Sequence, residues 1–378
     1  MSEPQRIALG MSGGVDSSVA AVLLQRAGYE VVGVTCIFHD DEAAHDDARR
    51  AWEVCQRVGI DHAVADCTQQ FERCVVQPFV RAYAEGLTPS PCVGCNATCK
   101  LPALLEVADQ LGCQKVATGH YARVARLSEN GRYVVKTGLD EHKDQSYMLA
   151  LLSQDQLSRL VLPLGGLTKT DARLLAHDAQ LPAADAPESQ DVCFISGDYR
   201  DFLHARGVAD APGDIVSADG KVLGRHEGLF GFTVGQRKGI GVAGPEPYYV
   251  MEKRTATRQL VVGTAAEARI GGLRVANMNW QAFERLDGEC EATVKLRYRS
   301  RPVACIITPD EGVLPTAGPE QDAGGSASDG MGAGEGARQG VAVHLRSPQP
   351  TTAPGQYAVF YEGSTVLGGG TIQEVRQA

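Results

Sequence analysis

Residues 10–18 read GMSGGVDSS and sit between an apolar, strand-like run, RIALG, and an apolar, helix-like run, VAAVLLQRAG. Adjacent glycines let the backbone bring several N–H groups up to phosphate oxygens, and the start of the following helix adds the positive end of its dipole. Ser17 and Ser18 supply hydroxyl donors in the first turn, and Asp16 can hold a metal or the loop itself. No Gly-Lys-Ser/Thr follows, so this is not a Walker loop. The pattern continues outward. VVGVTCIF and DHAVADC read as strands, and DARRAWEVCQRVG as a helix with Ala48, Ala51, Cys55 and Val58 along one stripe. FERCVVQPFVRAYAEG and LPALLEVADQLG read as helices and KVATGHYA as a further strand. This alternation predicts an α/β domain with a parallel, helix-covered sheet, whose first βα loop is the usual seat of a nucleotide.

From about residue 210 turn signals such as APGD, ADGK and GPEP separate short β-rich runs, and long helical patterns vanish. EATVKLRYRS, VACIITP, GVAVHLRS, GQYAVFY and STVLGGGTIQEV predict a small antiparallel β-barrel-like domain. Residues 311–340 are Gly-rich, acidic and without aromatics, a composition that reads as a flexible hairpin insertion. The expected division is a phosphate-loop domain over 1–165, a central domain over 166–273 and the C-terminal β-domain over 274–378, with 186–200 returning a cysteine to the first.

The chain has 378 residues, 43% of them hydrophobic and 22% charged, as in ordinary globular proteins, and its length suits two or three domains. No run approaches the apolar length of a membrane span, and the start, MSEPQRIALG, lacks the pattern of a signal peptide. The expectation is a cytoplasmic protein without membrane contact, whose eleven cysteines are thiols, ligands or redox catalysts rather than structural disulfides. The formal net charge of −10 excludes a wholly basic nucleic-acid coat but not a local basic face. In KLRYRSR, Lys295, Arg297, Arg299 and Arg301 alternate, and on a strand all four would share one face suited to phosphate. Arg237, Lys238, Lys253, Arg254 and Arg258 add further basic points.

TPSPCVGCNATCK (88–100) places Cys92, Cys95 and Cys99 in a proline-ordered loop ahead of a helix near 101–112. ESQDVCFISG (188–197) places Cys193 at the end of a short apolar run. Two thiols from distant segments suit sulfur chemistry, in which one carries a sulfane sulfur as a persulfide and the other attacks it, leaving a disulfide. Reactivity requires thiolate, and the helix start just beyond Cys95 is expected to lower its pKa. Cys55, Cys67, Cys74, Cys113, Cys290 and Cys305 fall in apolar patterns and read as buried small hydrophobes. No second CxxC or His pair completes a zinc site around Cys92 and Cys95, so no metal ligand is assigned. Three-thiolate ligation of an iron–sulfur cluster by Cys92, Cys95 and Cys193 stays open.

The S-G-G-x-D-S loop resembles that of the PP-loop ATP pyrophosphatases, which implies cleavage between the α and β phosphates of ATP. GMSGGVDSS, TPSPCVGCN, ATGHY, KDQSY, DVCFI, FTVGQRKG, LRYRS and PGQYAVFY together resemble the MnmA-type tRNA-uridine 2-sulfurtransferases nearly end to end. That resemblance implies ATP with Mg²⁺ as cofactors, adenylation of O2 of the wobble uridine, and sulfur transfer to give 2-thiouridine. By position it implies Cys95 as nucleophile and Cys193 as persulfide carrier. It implies ATP contacts from Gly10, Met11, Ser12, Gly13, Gly14, Val15, Asp16, Ser17, Cys36 and Gly119. Ser90, Pro91 and Cys92 would flank the target base, Lys143, Asp144, Gln145, Arg297 and Tyr298 would contact tRNA, and His120 and Gln356 would lie beside it. The implied partners are tRNA, through its anticodon stem-loop, and a persulfide donor such as a cysteine desulfurase or sulfur-relay protein. Ser90 stands where the family commonly has Asn, Cys92 where many members have Asp, and Cys36 where Met is frequent. The alternatives are a cluster-dependent tRNA thiolase and a PP-loop ligase of another substrate.

Overall fold

The computed structural model describes residues 4–182, 184, 192–312 and 339–378. The expected flexible insertion at 311–340 therefore lies, except for its first and last two residues, outside the described residues. Seven strands occupy the first half: β1 (Arg6–Gly10), β2 (Glu30–Ile37), β3 (Asp61–Asp66), β4 (Lys115–Ala117), β5 (Ala122–Arg126), β6 (Tyr133–Thr137) and β7 (Leu160–Val161). Five of them form a parallel sheet in the order β3-β2-β1-β4-β7, as the alternation predicts. The helices are α1 (Val15–Arg26), α2 (Glu42–Val58), α3 (Thr68–Phe71), α4 (Gln77–Ala84), α5 (Pro91–Cys95), α6 (Leu101–Gln110), α7 (Gln154–Arg159), α8 (Lys169–Asp178) and α9 (Tyr199–Ala205). In α2, Asp41 caps the start by accepting from the Ala44 N–H at 2.8 Å, and Gly59 at φ 72° closes the end. Of its expected stripe, Ala51 and Cys55 are fully buried against β1 and β2, while Ala48 and Val58 are half-buried and Val54 is buried beside them.

Two segments widen into π-turns, Glu72–Val76 before α4 and Asn96–Lys100 between α5 and α6. Each ends just ahead of a proline, Pro78 and Pro102. Proline offers no N–H to the carbonyl four residues back, and its ring crowds that carbonyl; a wider turn relieves both problems.

The central strands β8 (Gly213–Ser217), β9 (Val222–His226), β10 (Tyr249–Arg254) and β11 (Gln259–Gly263) form a separate sheet in the order β10-β11-β8-β9. The last six strands are β12 (Arg269–Trp280), β13 (Cys290–Lys295), β14 (Val303–Pro309), β15 (Val341–Pro350), β16 (Tyr357–Glu362) and β17 (Thr365–Gln377). They run antiparallel in the order β12-β15-β14-β13-β16-β17, and β12 pairs with β17 to close a six-stranded barrel. The hairpin β5–β6 leaves the first half of the chain and joins this barrel at β17, where Lys136 pairs with Thr365. One core consequently runs through both regions: Ala8 and Val32 of the parallel sheet, Tyr147, Leu149 and Leu152, and Val359 and Tyr361 of the barrel.

The basic ladder at 295–301 does not form. β13 ends at Lys295, and the chain then turns, with Ser300 N–H donating to the Arg297 carbonyl at 3.0 Å. Lys295 points inward to Asp144 at 2.8 Å. Arg297, Arg299 and Arg301 remain exposed, on a turn rather than on one strand face.

Candidate active site

The phosphate loop runs from the end of β1 into α1, as expected. Gly13 has φ 71°, and a Cβ there would come within 2.8 Å of Arg50 Cβ and of the Asp47 carbonyl oxygen, so the position demands glycine twice over. Ser17 and Ser18 donate their hydroxyls to the Gly14 carbonyl at 3.1 and 2.8 Å, which shapes the first turn. Met11 and Val15 are buried and anchor the loop, whereas Ser12 is exposed at its tip. Gly119, just past β4, comes so close to α1 that a Cβ would lie 3.0 Å from Asp16 C and Ser17 N. Asp16 accepts from Tyr121 Oη at 2.7 Å and from Lys169 Nζ at 2.7 Å. The sequence reading missed both donors. Tyr121 belongs to the ATGHY stretch and was within reach; Lys169 opens a helix capped by Thr168 and Asp171, a pattern that signals the helix but says nothing of the loop.

The sulfur site is built on α5. Cys92 and Cys95 lie within this short helix, with Ser90 and Pro91 at its start, and not in a loop ahead of α6. The helix-start argument for a Cys95 thiolate therefore fails, because Cys95 closes α5 and runs on through the π-turn. Other groups lower its pKa: a hydrogen bond from Cys99, the Lys100 cation and the Lys100 N–H, working against burial. Cys99 is fully buried, and its thiol is raised by that same bond and by burial. Cys99, to which the sequence assigns no role, is thus a partner for Cys95.

Cys193 reaches the same place from the far side of the chain. Its neighbour Phe194 is set among Phe71, Phe79 and Phe202, with ring centroids 5.5, 5.2 and 5.5 Å away. Cys193 presents surface to solvent, yet partial desolvation of its sulfur pushes the pKa up to about 11, and the charges of Cys95 and Cys92 add to it. Cys92 is raised by burial and by Cys95. The three thiols thus share one electrostatic environment in which Cys95 alone is favoured as thiolate.

Lys100, also unread in the sequence, ties the two halves of the site. Its charge acts on Cys92, Cys95 and Cys193 on the sulfur side and on Cys36 and His120 on the nucleotide side. Cys36, at the end of β2, hydrogen-bonds Cys67, which raises the Cys36 thiol and lowers that of Cys67. His120 has a pKa lowered to about 3, by burial and then by Lys100, and its Nδ1 lies 2.7 Å from Thr118 Oγ1. Its imidazole is therefore neutral throughout the working pH range.

The other candidates fall around a seam between the parallel sheet and the barrel. Gln356 donates to the Thr88 carbonyl at 2.6 Å, and Thr88 N–H to the Pro354 carbonyl at 3.0 Å, fastening the approach to α5 onto the barrel. Lys253 is not a surface cation: its Nζ donates to the Phe232 and Leu87 carbonyls at 3.1 and 3.3 Å and meets Thr88 Oγ1 at 3.4 Å. Asp144 is buried, and Gln145 accepts from the Tyr121 N–H at 2.9 Å. Lys143 and Tyr298 are half-buried, the Tyr298 ring lies 6.4 Å from that of Tyr147, and Arg297 donates to the Thr351 carbonyl. Among the described residues no group of three or more His, Cys, Asp or Glu side chains is arranged to hold a metal ion, which does not favour Cys92, Cys95 and Cys193 as cluster ligands.

Three family models match the chain: a "tRNA methyl transferase HUP domain" over residues 5–197, a "tRNA methyl transferase PRC-barrel domain" over 200–264 and an "Aminomethyltransferase beta-barrel domain" over 335–372. Relatives named tRNA-specific 2-thiouridylase MnmA match it from end to end. The protein from Carboxydothermus hydrogenoformans is 40% identical, covering 98% of each chain. That from Parasynechococcus marenigrum is 42% identical over 99% of this chain and 91% of its own. That from Trichormus variabilis is 38% identical over 98% and 99%. With a PP-loop that uses ATP on one side and paired thiols on the other, the chain belongs to the family of tRNA-specific 2-thiouridylases, which are tRNA sulfurtransferases.

Proposed function

We propose that this protein converts a uridine of tRNA to 2-thiouridine, using Cys193 as persulfide carrier and Cys95 as the thiolate that completes the transfer. The observation that carries this reading is that Cys95 and Phe194, the neighbour of Cys193, pack against one apolar cluster built on Phe71, Val76 and Cys99, and the lowering of the Cys95 thiol beside a raised Cys193 agrees with it. The C2 oxygen of uracil is a poor leaving group. It attacks the α-phosphorus of ATP; the new O–P bond forms as the bond to the β-phosphate oxygen breaks, and pyrophosphate leaves with the electron pair. The terminal sulfur of the Cys193 persulfide then attacks C2 and expels AMP. Cys95 thiolate attacks Cys193 Sγ, the sulfane S–S bond breaks, and its electron pair stays on the sulfur now bound to C2. The product is 2-thiouridine with a Cys95–Cys193 disulfide, which an external dithiol reduces by two electrons. If Cys95 attacks Cys193 Sγ before the persulfide reaches C2, hydrosulfide is released, attacks C2 and expels AMP instead, and the same disulfide results.

The donor set suits Mg²⁺ carried by ATP, since one loop carboxylate with phosphate oxygens is the usual arrangement for that ion. Asp16 is the residue that would hold it, and the ion would neutralise charge on the departing pyrophosphate. His120 is half-buried and neutral, and its Nδ1 is held against Thr118 Oγ1. Asp144 and Gln145 serve the RNA side by holding their segment in place, while Lys143, Arg297 and Tyr298 supply surface to the tRNA and Ser90, Pro91 and Cys92 line the approach of a base turned out of its loop. The sulfur comes from a persulfide-bearing donor protein.

The test incubates protein, tRNA, ATP-Mg²⁺ and a persulfide donor and measures 2-thiouridine by nucleoside mass spectrometry. Thiolation is expected with the unaltered protein and lost in Cys193→Ser and Cys95→Ser. Absence of the product, or full activity of Cys193→Ser with a persulfide donor, overturns the proposal.

A further inference from the structure

The phosphate loop contains no lysine, so its own donors are backbone N–H groups and hydroxyls. Pyrophosphate leaving from ATP carries several negative charges, and neutral donors alone leave that charge poorly balanced in a partly dry site. A cation is nevertheless held at the loop. Lys169 Nζ lies 2.7 Å from Asp16 Oδ1 and 5.7 Å from the centroid of the Tyr121 ring. We infer that Lys169 is the phosphate-binding lysine of this site: it takes the β and γ phosphates of ATP and stabilises the pyrophosphate as it departs, in exchange for the Asp16 carboxylate. The inference rests on the nucleotide reading of the loop made above.

Three features favour this over a simple tie between α1 and α8. The pair is asymmetric, because the Lys169 side chain is only 11% exposed whereas that of Asp16 is 35% exposed. A surface tie contributes little, roughly 0–1 kcal/mol, and gives no reason to bury a lysine side chain. Lys169 is also delivered by rigid parts: its N–H donates to Asp140 Oδ2 at 2.9 Å, and Thr168 and Asp171 form a reciprocal cap around it. Finally, Asp16 keeps the Tyr121 hydroxyl as a second donor, so its carboxylate stays oriented when the ammonium turns to phosphate. Asp16 is then free to accept the metal of ATP-Mg²⁺ while Lys169 meets the phosphate oxygens. No proton moves in this exchange.

Nucleotide binding by the whole protein tests it, with ATP, pyrophosphate and AMP as separate probes and calorimetry or fluorescence as readout. Lys169→Met and Lys169→Gln should weaken ATP and pyrophosphate by roughly 10- to 100-fold, the value of one hydrogen bond to a charged group. AMP, which lacks the β and γ phosphates, should change by no more than about threefold, and Lys169→Arg should recover most of the ATP loss. Retained AMP binding also shows that the variants fold. Equal weakening of AMP and ATP, or no change in either, overturns the inference and leaves Lys169 a structural tie. If the unaltered protein binds no ATP, the nucleotide reading itself fails, a result distinguishable from either of these.

Discussion

Asp144 offers a sharp test of what the KDQSY stretch does. Its Oδ1 accepts from the Gly138 and Ser146 N–H groups, both at 3.1 Å, and its Oδ2 from Ser146 Oγ at 2.9 Å and Lys295 Nζ at 2.8 Å. The side chains are 4% and 12% exposed, and the Lys295 ammonium also lies 5.4 Å from the Tyr361 ring centroid. Asp144→Asn keeps the shape but removes the charge, and it leaves a buried ammonium without its counter-ion. Breaking one side of such a pair costs about 3–5 kcal/mol. At about 2 °C per kcal/mol for a large cooperative unit, the melting temperature should fall by roughly 6–10 °C. Lys295→Met added to Asp144→Asn removes the orphaned charge and should restore much of the loss. Thermal melting of the two single variants and the double variant, alongside tRNA affinity, decides the matter. If Asp144→Asn melts within about a degree of the unaltered protein while tRNA binding collapses, the carboxylate acts on RNA directly and this reasoning is wrong.

The thiols make a second set of expectations. Cys95, held below the usual thiol range, should be alkylated at lower pH than Cys193, whose pKa stands at about 11, as peptide mass spectrometry after a pH series of iodoacetamide pulses would show. Lys100→Met should move the Cys95 profile to higher pH, because a cation favours the thiolate; an unchanged profile would remove Lys100 from the account. Lys253 is depressed from 10.5 to about 8 by burial, so between those pH values the unfolded chain binds a proton that the folded one has lost. Stability from this group therefore rises as pH climbs from about 8 to 10.5, by at most about 3 kcal/mol, and Lys253→Met should flatten that slope in denaturant titrations. Gly13→Ala forces a Cβ to within 2.8 Å of two atoms of α2 at a left-handed φ, and should reduce ATP binding by more than tenfold while costing about 1–3 kcal/mol of stability. Unchanged ATP affinity in that variant would remove the loop from the nucleotide site.

What could be read from the chain in advance, and what could not, divides along one physical line. The parallel sheet, α2 with its buried stripe, the phosphate loop and the last five barrel strands were legible because each is announced by local periodicity and local turn chemistry. β12 was missed, since RIGGLRVANMNW pairs along both edges, carries two glycines and a bulge after Ile270, and buries most of its length instead of alternating. The hairpin β5–β6 has a plain Asn-Gly turn signal, but its destination on β17 depends on a pairing from the far end of the chain.

Charge was the least legible property of all. Lys253 and Lys295 sit in stretches that look basic, yet one is spent on carbonyls at the approach to α5 and the other on Asp144. Lys100 and Lys169 sit in unremarked helical runs, yet one acts on thiols from α5 and from the Cys193 segment and the other reaches the phosphate loop. A lysine stem spans several ångströms, so its ammonium answers to whatever carboxylate, carbonyl or thiolate the fold brings within reach, and sequence neighbours have no part in that choice. The absence of a lysine from GMSGGVDSS follows the same rule. The loop leaves its cation to a rigid helix elsewhere, and a lysine held on a separate element can move from carboxylate to phosphate without disturbing the backbone that binds the rest of the nucleotide.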